Sequence, residues 1–314
     1  MHYWGFVALA LIASTANALQ ARVNGEASIV VGNPVVAAMM SVGGGFVIAT
    51  MFVLLRRKTR RLAWQLLSRQ NFDGIRGWHL FAGVGGGVFI LGQAMVVPLF
   101  GVSLYMIAIV AGQTGASLAV DHLGIGPAGK KAITTWRILS VFLAISGVAV
   151  SALGSGETLS IALSAVLYGL AAGGATAVQY ALNGRIAQSV GSALVTSSLN
   201  FMMGFLFLTL VLIAATTFGV VGLEAPPSLL EHWQLWLGGP LGLLFIASAT
   251  LFVRRLGVLA FAVVSVLGQL IGAFGLDVFF PADGASVTPL LGIGLGITAL
   301  GVVLSGRARE GNGR

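Results

Sequence analysis

Ten stretches of this chain are each close to the length of helix that crosses the hydrocarbon of a bilayer, about 20 residues, and carry almost no charge. They run Tyr3–Gln20, Pro34–Leu55, Leu80–Leu99, Val102–Asp121, Thr135–Leu153, Ser160–Leu182, Ala193–Phe218, Leu235–Val253, Leu256–Val278 and Thr288–Ser305. A water-soluble protein could not hide so many, because its surface would run out of polar cover. The chain has 314 residues, of which 57% are hydrophobic and only 8% charged. Lipid must therefore be the main solvent. With no water to satisfy backbone groups there, each span is expected to be a helix, which makes the fold class all-α integral membrane. The 45 glycines suit close contacts between such helices.

The runs fall into two sets related by a near-constant offset. Gly112, Gln113 and Asp121 in the fourth span recur as Gly268, Gln269 and Asp277 in the ninth, all 156 residues on. Gln20 and Asn24 recur as Gln179 and Asn183 at an offset of 159, and Gly32, Gly45 and Phe46 as Gly191, Gly204 and Phe205. Gly83, Gly86 and the pair Gly101-Val102 recur as Gly239, Gly242 and Gly257-Val258 at 156. Gly147-Val148 matches Gly301-Val302 at 154. Drifts this small are changes in loop length. The chain divides into a first five-helix repeat over 1–153, a second over 154–306, and a tail over 307–314.

The basic residues set the orientation. Arg56, Arg57, Lys58, Arg60, Arg61, Arg69 and Arg76 follow the second span. Lys130, Lys131, Arg137, Arg185, Arg254, Arg255, Arg307, Arg309 and Arg314 all fall on the same side when the spans are counted off. Of the 17 basic residues only Arg22 does not. By the positive-inside rule that side is cytoplasmic, with both termini inside. Glu26, Glu157, Glu224, Glu231 and Asp283 lie in the outer loops. The net charge of +8 thus reflects topology rather than nucleic-acid binding. Two five-helix units joined directly must insert in opposite orientations, which is the inverted-topology plan of secondary transporters.

The first span ends in Thr15-Ala16-Asn17-Ala18, which resembles a signal-peptide cleavage site. It has no basic n-region, however, and its polar signature is repeated in the sixth span. A retained helix is expected. Between the second and third spans, Leu62, Trp64, Leu66 and Leu67 interleave with arginines. This segment could be an interfacial helix, but a solvated signal that only fixes topology is favoured.

Polar residues inside the spans are the functional candidates. Gln113 and Gln269 lie midway along theirs, and an unpaired amide in hydrocarbon costs several kcal/mol. Each is expected either to orient a substrate in a central cavity or to join neighbouring helices. Asp121 and Asp277 sit at helix C-termini, where the macrodipole disfavours negative charge. They could be gate or proton-coupling residues, or form ion pairs, Asp121 with Arg185 and Asp277 with Arg22. Gln20 and Gln179, as candidate substrate contacts, and Asn24 and Asn183, as candidate gate or coupling residues, are placed where the first and sixth spans meet water, where all four could instead cap helix ends. Gln93 and Asn200 rank lower, having no amide at the repeat position. His2, His79, His122 and His232 lie at span edges without an i, i+4 pair. The chain has no cysteine, so no metal site or cofactor is expected.

GQTGASLAVDHLG (Gly112 to Gly124), Gln20-Ala21-Arg22-Val23-Asn24 and the Gly83–Gly87 run together resemble the YdcZ-like inner-membrane exporters of the drug/metabolite transporter superfamily, in tandem duplicated form. The second copy departs from the pattern, with Ala273 in place of Ser117 and Val278 in place of His122. The resemblance implies the fold and the transporter class; with the inverted repeat, the expectation is a multi-pass inner-membrane transporter exporting a small organic solute by alternating access, with the bilayer and the solute as partners and a proton as one candidate coupling ion. The rival readings are a non-transporting scaffold or sensor, and a membrane enzyme. The latter lacks any recognisable catalytic constellation, such as H-E-x-x-H.

Overall fold

The computed structural model describes residues 3–68, 74–155, 158–281 and 287–310. Arg69, Glu157, Asp283 and Arg314, used above to set orientation, lie outside them, as does the tail beyond Glu310. The described residues form helices and short connections, with no strand among them. The helices are α1 (Tyr3–Val31), α2 (Pro34–Leu55), α3 (Arg57–Leu67), α4 (Gly83–Leu123), α5 (Thr135–Leu153), α6 (Leu159–Val190), α7 (Ala193–Thr217), α8 (Gly238–Leu256), α9 (Val258–Phe279) and α10 (Pro289–Glu310). Single 3-10 turns precede α4 and α8, at Gly77–Ala82 and Trp233–Trp236.

α4 contains two of the expected spans in one run of 41 residues, interrupted only at Gly101. Phe89 and Tyr105 are 16 residues apart, which a straight helix would separate by roughly 24 Å. Yet their ring centroids lie 6.0 Å apart, and the Tyr105 hydroxyl donates to the Phe89 carbonyl. The run folds back on itself at Gly101, whose φ of 79° and ψ of 175° are open essentially to glycine alone. Its repeat partner Gly257 has φ 82° and ψ 160° and separates α8 from α9 in the same way. No loop is spent at either reversal.

The contacts between span ends fall into two groups. At one end, Arg185 on α6 donates to the carbonyls of Gly124 and Ile125 after α4, and Arg255 at the close of α8 lies over the Phe6 ring near the start of α1. At the other end, Asn33 donates to the Gly222 carbonyl, Thr288 to the Gly154 carbonyl and Arg22 to the Pro281 carbonyl. Among the described residues eight helical runs are long and apolar enough to cross a bilayer, one of them the α4 run that holds two of the expected spans.

The two halves interlock. A methyl group added at Gly112 would strike the Leu170 carbonyl on α6, and one at Gly268 would strike the Leu11 carbonyl on α1. Gly112 pairs with Gly268 in the repeat, and Leu170 with Leu11. Likewise Gly83 abuts the Asn200 carbonyl while Gly239 abuts that of Ser41, and Gly86 faces Gln179 while Gly242 faces Gln20. Each contact between halves is thus made twice, with the roles exchanged, as a two-fold relation between inverted repeats demands. α2 crosses α7, and α5 packs along α10 through Gly147 and Gly294. At the centre, Val102 to Ala111 of α4 are all buried.

Three expectations need correction. α1 and α6 do not end near residues 20 and 182 but continue to Val31 and Val190. Polar groups there are satisfied by neighbouring helices rather than by water, so hydropathy alone stops too soon. α10 likewise runs on to Glu310 instead of stopping at Ser305. The segment after α2 is a helix, α3, with Leu66 buried and Leu62 and Ala63 packed on the core it shares with α7. Its arginines occupy the opposite, exposed face.

Candidate functional site

The polar side chains inside the bundle gather in three places. Nearest the end that holds Gly101, Asn24 on α1 donates to Gln93 on α4 at 2.6 Å, and Gln20 donates to the Gly238 carbonyl at 2.9 Å. All three are buried, two turns or more within α1 and α4. Asn24 Oδ1, Gln93 Nε2 and the nearby Ser41 hydroxyl find no protein partner. Nearest the basic end, Asn200 Oδ1 on α7 accepts from Gln179 at 3.0 Å and from Asn183 at 2.9 Å. Gln20 and Asn24 therefore share one cluster, Gln179 and Asn183 another. Both lie inside the bundle rather than at its water boundary. Their partners Gln93 and Asn200 rank lower on sequence alone because neither has an amide at the repeat position. The signal available was that each cluster carries one amide beyond the duplicated pair.

At mid-depth the duplicated glutamines differ. Gln269 is buried with both polar atoms bonded: it accepts from Asn17 at 2.8 Å and donates to Ser265 at 3.2 Å. Its repeat partner Gln113 has neither bond. Thr176 stands where symmetry would place an asparagine and turns its hydroxyl back to the Ala172 carbonyl, while Ile109 stands in place of the serine. The Gln113 side chain is half-buried and makes no hydrogen bond within the described residues. Beside it, Gly173 and Gly174 bring the α6 backbone close and leave little side-chain bulk.

The two aspartates also diverge. Asp277 is buried at 1% exposure and accepts from the backbone N–H groups of Val102, at 2.9 Å, and Ser103, at 2.7 Å. It thereby caps, from α9, the helical run that restarts after Gly101, where four N–H groups would otherwise lack partners and the helix dipole favours an anion. The expected pairing with Arg22 is not formed, because Arg22 turns to Glu26 on its own helix at 2.9 Å. Asp121 pairs with Arg137 at 2.6 Å and lies 3.9 Å from Lys131. Arg185 instead binds backbone carbonyls after α4. Removing the cap with Asp277→Ala is expected to cost about 1–3 kcal/mol, the penalty for buried donors left without an acceptor. Thermal unfolding of the purified variant in detergent would read that loss.

No group of three or more potential metal ligands occurs among the described residues. The polar side chains gathered inside the bundle are amide donors and acceptors, with Asp121 and Asp277 bonded at either end.

A comparison with curated proteins found no match. Among solved structures, one crystal structure covers 97% of this chain and 98% of its own at a TM-score of 0.54 and 16% identity, a likeness of fold alone. The family described as "Putative inner membrane exporter, YdcZ", of the drug/metabolite transporter type, matches residues 5–150 and again 164–304. Those two blocks take in nearly everything from α1 to α10, and on that ground the chain belongs to the YdcZ inner-membrane exporter family in its duplicated form.

Proposed function

We propose that the protein exports a small, polar organic solute by alternating access, with Gln113 as the amide that meets it. The observation that carries this reading is uneven closure of an otherwise symmetric bundle. At the end away from the basic loops, α1 packs on α4 through Asn24–Gln93, and a Cβ on Gly25 would meet Val97 at 2.9 Å. The repeat partner of α1 is α6, which makes at most marginal contact with α8 and α9 among the described residues. The partner of Gly25, Gly184, faces Pro127 instead. Inverted repeats that pack differently at their two ends are how one fold offers a path to one side at a time. With the basic end cytoplasmic, the conformation is inward-facing.

The absence of cysteine makes the test direct. Gln113→Cys is expected to react with a membrane-impermeant thiol reagent from the cytoplasmic face, and Asn24→Cys to be shielded from both faces. Gln113→Ala should lower transport at least tenfold, the worth of one well-placed hydrogen bond to a bound solute, with membrane insertion unchanged. A Gln113→Cys that reacts only in unfolded protein would point to a scaffold without a path.

A further inference from the structure

Between α2 and α7, in the half of the bundle away from the basic loops, an apolar groove of about 960 Å³ opens sideways. Its lining includes Gly43 and Gly44, Met39, Phe205, Leu212 and Trp236. It follows α2 from Val36 to Ile48, which at 1.5 Å per residue is roughly 18 Å. Val47, on its rim, is 65% exposed.

The inverted repeat shows what such a space requires. The symmetry-related volume, between the same two helices at the basic end, is filled by the protein itself. There α3 lays Leu62, Ala63 and Leu66 against Val53, Val195 and Leu199. Met202 and Met203 pack against that cluster, and these are the repeat partners of Gly43 and Gly44. The second half has no equivalent of α3. An irregular segment from Gly219 to His232 replaces it. Two methionines and an amphipathic helix on one side thus correspond to two glycines and an open groove on the other.

We infer that this groove holds one acyl chain of a bilayer phospholipid. Hydrocarbon is the solvent on the flank where Val47 is exposed, and the lining is apolar along its whole length except for Glu224 at the mouth. The groove runs down from the water boundary, as a chain does from its headgroup. Glu224 has no ion-pair partner among the described residues. It favours a headgroup bearing an ammonium over one with net negative charge. Bound there, the chain does for α2 and α7 what α3 does at the opposite end.

The test is native mass spectrometry of the full chain, extracted in mild detergent and exposed to phosphatidylethanolamine and phosphatidylglycerol in equal amounts. The wild type should retain one phospholipid, with ethanolamine favoured severalfold, and Glu224→Gln should lose that preference. Gly44→Met fills the space as Met203 does in the other half. Val47→Trp fills the rim from an exposed position and guards against misfolding of the first variant. Both should reduce retained lipid at least tenfold. Equal retention in all variants would overturn the inference. So would a second copy of the chain covering the groove.

Discussion

Asp121→Ala is expected to be the most damaging single change at either aspartate. It leaves the Arg137 guanidinium, only 6% exposed, without the carboxylate it holds at 2.6 Å. Breaking a buried ion pair from one side strands the remaining charge and typically costs about 3–5 kcal/mol. Asp277→Ala, by contrast, strands only neutral N–H groups. The paired change Asp121→Ala with Arg137→Leu should recover much of the loss, since replacing both partners removes the stranded charge. Fluorescence-detected size exclusion over a temperature series would rank the three. A ranking with Asp121→Ala milder than Asp277→Ala would show that water reaches Arg137 and restores its solvation.

Gly112→Leu and Gly268→Leu are expected to be comparably severe. The obstruction in each case is a backbone carbonyl of the helix opposite, Leu170 or Leu11, rather than a side chain that could turn aside. Overpacking of a well-filled interior commonly costs about 1–3 kcal/mol, and a backbone neighbour puts these sites at or above that range. The two variants should suffer alike, because the contacts are images of one another. Gly115, whose added Cβ would meet nothing closer than 3.7 Å, should accept alanine with little change. Yield of folded protein for the leucine and alanine variants checks the contrast.

Much of the architecture was legible in the sequence because lipid leaves so few options. Span length, basic loops and the offsets of 156 and 159 suffice for an all-α bundle with a doubled unit. The reversal at Gly101 was half-visible: Gly101-Val102 and Gly257-Val258 stood out as a repeated pair, but nothing in hydropathy says that the chain turns there without a loop. The ends of α1 and α6 were hidden for a different reason. Gln20 and Asn24 look like a water boundary until Gly238 and Gln93 are seen to supply partners from distant parts of the chain. The same limit applies to the glutamines. Gln113 and Gln269 sit in matching motifs, and what separates them is Asn17 against Thr176, on other helices. A hydrogen-bond partner is a property of packing, and spacing along the chain does not encode it.

The duplicated glycine contacts carry a consequence for what counts as a unit of this molecule. Gly112 belongs to the first repeat but beds into α6 of the second, and Gly268 does the reverse. The halves of the sequence are therefore not expected to fold separately and then dock. Cut between Leu153 and Leu159, either fragment would present its notched helix to lipid tails, which fit a glycine notch poorly. The surface complementary to that notch is carried by the other fragment, threaded through the bilayer the opposite way up.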